Sequence, residues 1–168
     1  DYLWEIARNI VSRLNFEDCV IYLVEEKDIL VQKAAAGPKN PAEKELINLL
    51  EIPIGEGIVG TAAATKKPVL VKDTSLDNRY IRDDAKRFSE LAVPIIHNNE
   101  TIGIIDSEHS KKNFYTNEHV RIISSIAAIS AEKIASLKAK NILAIQENRL
   151  KELDQQMIET RLSVIRAQ

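Results

Sequence analysis

The stretch Ile52–Asp73, IPIGEGIVGTAAATKKPVLVKD, decides the fold. A short apolar run meets glycines at Gly55, Gly57 and Gly60, small residues follow, and Pro68 opens a β-branched run ending at Asp73. That order predicts strand, tight turn, helix, strand. Gly55 and Gly57 suit a turn that needs positive φ or close backbone approach, and Gly60 with Ala62, Ala63 and Ala64 lets a helix lie close against a sheet. The GxGxxG spacing is no dinucleotide loop, because no acidic residue closes a second βα unit about twenty residues on.

Upstream, Leu3, Ile6, Ala7, Ile10, Val11 and Leu14 recur at helical spacing, so residues 1–14 are expected to form an amphipathic helix that Asn15 and Asp18 end. Cys19–Val24 reads as a buried strand, 25–28 as a turn, and Ile29–Ala36 as its hairpin partner. Residues 37–41 form a loop and 42–50 a short helix. Downstream of Asp73, TSLDNRYIRDDAKRFSE has no clean period. It is either a lid over the sheet or a solvated loop with one short helix. Residues 91–96 and 101–108 are expected strands joined through Asn98 and Asn99, since Asn tolerates positive φ. Thr116 is the expected N-cap of a helix that neither Gly nor Pro interrupts before Gln168.

Along that helix Ile122, Ile129, Ser136, Leu143, Leu150, Met157 and Val164 stand seven residues apart, the repeat that keeps one seam facing a partner in a supercoil. Companion positions are mixed, Leu153 being apolar and Gln146 and Thr160 polar. A lone helix of ~30 residues with so thin a face is marginal without a partner. A parallel homodimer is therefore expected, with Ile129, Leu143, Leu150, Leu153, Met157 and Val164 as its contacts.

Composition narrows the function. The chain has 168 residues, with 23 Lys plus Arg against 25 Asp plus Glu and a formal net charge of -2, so it lacks the basic footprint of nucleic-acid binding. No apolar run reaches the ~20 residues of a membrane span, and no membrane contact is expected. One cysteine, Cys19, rules out an internal disulfide and fits a reducing, cytoplasmic setting. Helical sequence at both ends suggests a piece of a longer protein.

Three blocks, GEGIVGTAAATKKPVLVKDTSLD, LAVPIIHNNETIGIIDSEH and FYTNEHVRIISSIAAISAEKIA, recur in the order found in GAF domains, which the chain resembles over most of residues 1–137. The resemblance implies an α/β (α+β) module with a central antiparallel sheet flanked by helices, here followed by a coiled-coil-like linker over 138–168. The last residues, IETRLSVIRAQ, resemble the segment before the phosphoacceptor histidine in a group of bacterial sensor histidine kinases. That second resemblance implies a non-catalytic sensory module passing a ligand- or partner-dependent signal to a kinase region in cis. The alternative is a structural dimerisation module with no ligand.

Candidate chemistry is sparse. GAF enzymes that reduce free methionine sulfoxide need more than one cysteine, and Cys19 reads as a core residue, so no enzyme activity is expected. His97, His109 and His119 have no ligand spacing, so neither metal nor cofactor is expected. Ser107 and His109 share one strand face and Asp106 and Glu108 the other, which breaks up any triad in what reads as a structural edge strand. The family resemblance places a pocket between sheet and lid, with Ile58 and Val59 as apolar contacts and Arg79, Tyr80, Arg82, Phe88 and Ser89 as donors and aromatic wall. The competing reading has Tyr80 and Phe88 anchoring the lid while the arginines pair with Asp77, Asp83 or Asp84.

Overall fold

The structure, a computed structural model, describes residues 2–40, 42 and 44–167. Its elements run α1 (Tyr2–Leu14), β1 (Cys19–Glu25), β2 (Ile29–Ala36), β3 (Glu51–Pro53), α2 (Gly57–Thr65), β4 (Val69–Val71), β5 (Ser89–His97), β6 (Glu100–His109) and α3 (Asn117–Arg166). All pairings are antiparallel, in one six-stranded sheet of order β3-β2-β1-β6-β5-β4. The expected mixed architecture with a long final helix is therefore present.

Local chemistry explains most boundaries. Asn15 at φ 56 takes the left-handed conformation that ends α1, and Lys66 at φ 57 does the same for α2. Asn98 and Asn99, at φ 49 and 64, turn β5 into β6. Thr116 caps α3, its Oγ1 accepting the His119 N–H while His119 Nδ1 accepts the Thr116 N–H, a reciprocal box with histidine in the usual Glu position.

The organising stretch folds as expected, and two of its glycines are required. A Cβ at Gly60 would stand 2.7 Å from the Pro53 carbonyl, because the start of α2 lies directly on the end of β3. Gly57 has φ +68, and a Cβ there would lie 2.6 Å from Ile81 Cδ1. Gly57 thus lets the segment carrying Ile81 settle onto α2.

Two expectations need correction. Residues 42–50 form bends and turns with no helix among those described; Pro41 and Glu43 lie outside the described residues. The Leu50 N–H instead bonds the Gln32 side chain at 2.9 Å, so the segment is tied to β2 rather than coiled on itself. The strand bearing Asp106 to His109 is also no edge: β6 lies between β1 and β5. Its burial follows from that central place.

The α2 face of the sheet carries a core of Val20, Tyr22, Leu30, Ile52, Ile58, Val59, Ala62, Ala63, Ala92 and Ile104. α1 packs on β1 and β2 through Ile6, Ala7 and Ile10. Strand alternation turns Cys19 and Ile21 away from the α2 face, and both are 0% exposed. Compact packing separates the chain into a unit ending at Ala131 and a second formed by Glu132 onward, the remainder of α3.

Candidate functional site

Four carboxyl groups and a phenol converge on the α2 face. Tyr22 comes from β1, Glu90 from β5, Asp106 and Glu108 from β6, and Asp83 from the irregular segment before β5. The two-residue strand period puts positions 106 and 108 on one side, while Ser107 on the other bonds the Asp18 carbonyl and the Tyr115 hydroxyl. With Leu50, Ile52, Ile58, Val59 and Ile81 these groups enclose a cavity of about 10 Å³. That is room for about one water molecule.

Burial governs the electrostatics. Glu90, Asp106 and Glu108 are 4%, 3% and 4% exposed. Loss of solvent pushes Glu90 and Asp106 well above the usual carboxylate range, and Glu108 up to about 9. Glu90 and Asp106 share a hydrogen bond, which needs a proton between the two carboxyls. Asp106 Oδ1 and Glu108 Oε1 are buried with no hydrogen-bond partner in the protein. Buried polar atoms rarely stay unmatched, so these oxygens are available to a ligand's donors. The Tyr22 hydroxyl accepts from Gln32 Nε2 at 3.0 Å, and burial raises its pKa strongly, so it stays neutral.

A second acidic group adjoins the cavity. Oxygens of Asp18, Asp84 and Glu108 lie within 4.8 Å of one another. Arg87 Nη2 bonds Asp84 at 2.9 Å, so a guanidinium already supplies positive charge there. Asp18 accepts the Glu108 N–H at 2.7 Å, yet burial still lifts its pKa to about 7.

The residues expected from sequence separate into two sets. Ile58 and Val59 line the cavity. Arg79 is exposed and forks onto Asp77 at 2.9 and 2.7 Å, Arg82 is exposed, and the buried Ser89 hydroxyl bonds the Lys111 carbonyl. Tyr80 accepts the Arg87 N–H at 2.9 Å and packs against the core, and Phe88 is half-buried beneath Lys86. The anchoring arrangement thus describes Tyr80 and Arg79. His109 is buried and stacked on Phe114 at 3.6 Å. The carboxylates were missed, although acidic residues at alternate positions of an apolar run, as in IIDSEH, were the available signal.

A family model described as GAF domain matches residues 1–135, and the chain belongs to that family. Its curated relatives include the free methionine-R-sulfoxide reductases of Escherichia coli, 26% identical over 98 residues, and of Saccharomyces cerevisiae, 28% identical over 105 residues. The matches cover 58% and 62% of this chain, which spans 59% and 54% of those relatives' lengths. The GAF domain of a phosphoenolpyruvate-protein phosphotransferase from Coxiella burnetii shares the fold at TM-score 0.73 and 21% identity, covering 83% of this chain and 84% of that one. The relatives named as enzymes overturn the expectation of a non-catalytic sensory module of a histidine kinase. Among the described residues no helix is long and apolar enough to cross a membrane.

Proposed function

We propose that this chain recognises free methionine sulfoxide, the substrate class its curated relatives are named for, and supports its reduction. The observation that carries the reading is the pair of buried, unbonded oxygens, Asp106 Oδ1 and Glu108 Oε1, at the cavity floor. A free amino acid differs from a methionine within a protein by its ammonium group. Three carboxyls from neighbouring strands suit that group, which offers three donors and a charge. Ile58, Val59 and Ile81 supply the apolar wall for the side chain.

Reduction needs two electrons: a thiol sulfur bonds the sulfoxide sulfur, the S–O bond breaks as the oxygen takes protons and leaves as water, and a second thiol releases the sulfide as a disulfide forms. Cys19 is 0% exposed, and burial raises its thiol pKa strongly. Reactive cysteines need exposure and a stabilised thiolate. Both thiols are therefore assigned to a dithiol reductant supplied in trans. The protonated carboxyls are the proton source nearest the cavity.

Incubating the protein with free methionine-R-sulfoxide and excess dithiothreitol, with product read by chromatography, is expected to give methionine above the protein-free rate. Cys19→Ala should leave that rate unchanged. The reading fails if neither turnover nor saturable binding is found.

We also propose a parallel homodimer through α3, where Leu143, Leu150, Met157 and Val164 are 57%, 62%, 55% and 55% exposed at seven-residue spacing. Ile129 at 83% and Leu153 at 43% extend the same apolar stripe. Sedimentation at micromolar concentration is expected to show a dimer that Leu150→Asp with Met157→Asp dissociates. A monomeric wild-type chain at high micromolar concentration would count against it.

A further inference from the structure

Lys39, in the loop after β2, is 1% exposed, which is exceptional for a lysine. Its Nζ donates to the Asn48 carbonyl and, at 2.6 Å, to Asp83 Oδ1. Asp83 Oδ2 accepts from Gln32 Nε2 at 2.7 Å, and Gln32 in turn donates to Tyr22 and accepts the Leu50 N–H. Both oxygens of one cavity carboxylate are thus held by groups from β2 and from the loop beyond it.

Most other side-chain contacts of segment 77–88 are local, although Arg87 Nε also lies 3.9 Å from Glu17 and the Phe88 N–H bonds the His109 carbonyl at 2.8 Å. Arg79 bonds Asp77, Tyr80 bonds Arg87, and Arg87 bonds Asp84. Asp83 is the residue that reaches across to the outer strands. Ile81, two positions earlier, closes the cavity over Gly57. The space beneath, about 10 Å³, is far smaller than an amino acid, so a ligand enters only if this segment lifts.

We propose that Lys39 is a positioning residue for the site: through Asp83 it holds segment 77–88, and with it Ile81, over the cavity, and opening of the Lys39–Asp83 pair sets the rate of ligand entry and release. The pair also engages the charge of Asp83, leaving Glu90, Asp106 and Glu108 to meet the ligand's ammonium. The inference rests on the cavity being the ligand site, and its test has a readout that needs no ligand.

Amide exchange followed by mass spectrometry in ligand-free protein is expected to quicken at least 10-fold over residues 77–88 in Lys39→Met and in Asp83→Asn, with β5 and β6 unchanged. The double variant should exchange no faster than the singles, because all three break one pair. Association and dissociation rates of free methionine sulfoxide should both rise about 10-fold, so the dissociation constant changes less than either rate. If Lys39→Met fails to fold, Asp83→Asn, which keeps size and shape, carries the test. Unchanged exchange over 77–88 in a folded Asp83→Asn protein would overturn the proposal. Faster exchange without ligand binding keeps the latch and removes the ligand assignment.

Discussion

Asp106→Asn is expected to weaken binding of free methionine sulfoxide while raising stability at pH 8. Removing one charged partner of a buried pair costs about 2–5 kcal/mol, so affinity should fall ~30-fold or more. Stability moves the other way. In the unfolded chain an aspartate ionises near pH ~3.9, whereas burial beside Glu90 keeps Asp106 protonated in the fold. Folding above that pH must take up a proton, at about 1.4 kcal/mol per pH unit up to the folded value. Asparagine takes up none and can keep the hydrogen bond to Glu90. Calorimetric binding and thermal melts at pH 5 and pH 8 check both halves, and a variant that binds like the wild type would remove Asp106 from the site. Sites that trade stability for function behave in this way.

The ligand-free protein should also lose stability as pH rises from about 6.5 to 8.5. Asp18, at about 7, and Glu90, Asp106 and Glu108, the last at about 9, all have pKa values raised by burial. A raised folded pKa contributes stability that is complete below the unfolded carboxyl value and is lost as pH climbs through the folded one. The contribution of Asp18 is thus gone by about pH 7, and that of Glu108 fades toward pH 9. His109 and His119, whose pKa values burial lowers, act oppositely, adding stability as pH rises through their ordinary range near ~6.5. The carboxylates of Glu17, Asp73 and Asp77, with lowered values, matter only in more acidic solution. Melting temperature should therefore be highest near pH ~4.5, where the unfolded carboxyls begin to ionise, and fall by more than ~5 °C between pH ~6.5 and ~8.5, at about 2–4 °C per kcal/mol. Saturating methionine sulfoxide should flatten the fall, its ammonium stabilising the ionised carboxylates. A melting temperature that climbs steadily from pH 6.5 to 8.5 would contradict the buried-acid description.

Local signals carried most of the fold. Gly55 to Gly60, the asparagine turn at 98–99 and the Thr116 cap each specify a backbone conformation within a few residues, and the hairpin Ile29–Ala36 has the limits its apolar run suggested. Non-local features were not legible. Whether β6 is an edge depends on its pairing with β1, in which Val20 meets Asp106 86 positions later. Residues 42–50 have helical composition, yet Leu50 is claimed by Gln32. The site divides similarly. Alternation shows that Asp106 and Glu108 share a face, but that this face is buried and meets Glu90 follows only from sheet order. Lys39 and Asp83 stand 44 positions apart with nothing local to pair them.

The direct test of the central claim is isothermal titration of free methionine-R-sulfoxide into the protein at pH 7 in two buffers of different ionisation enthalpy. If buried, protonated carboxyls grip the ligand's ammonium, binding must expel protons. The expected result is saturable binding at one site per chain with release of about one proton, and no binding of N-acetylmethionine sulfoxide, which lacks the ammonium. Equal binding of the acetylated compound, or binding without proton release, would contradict the account.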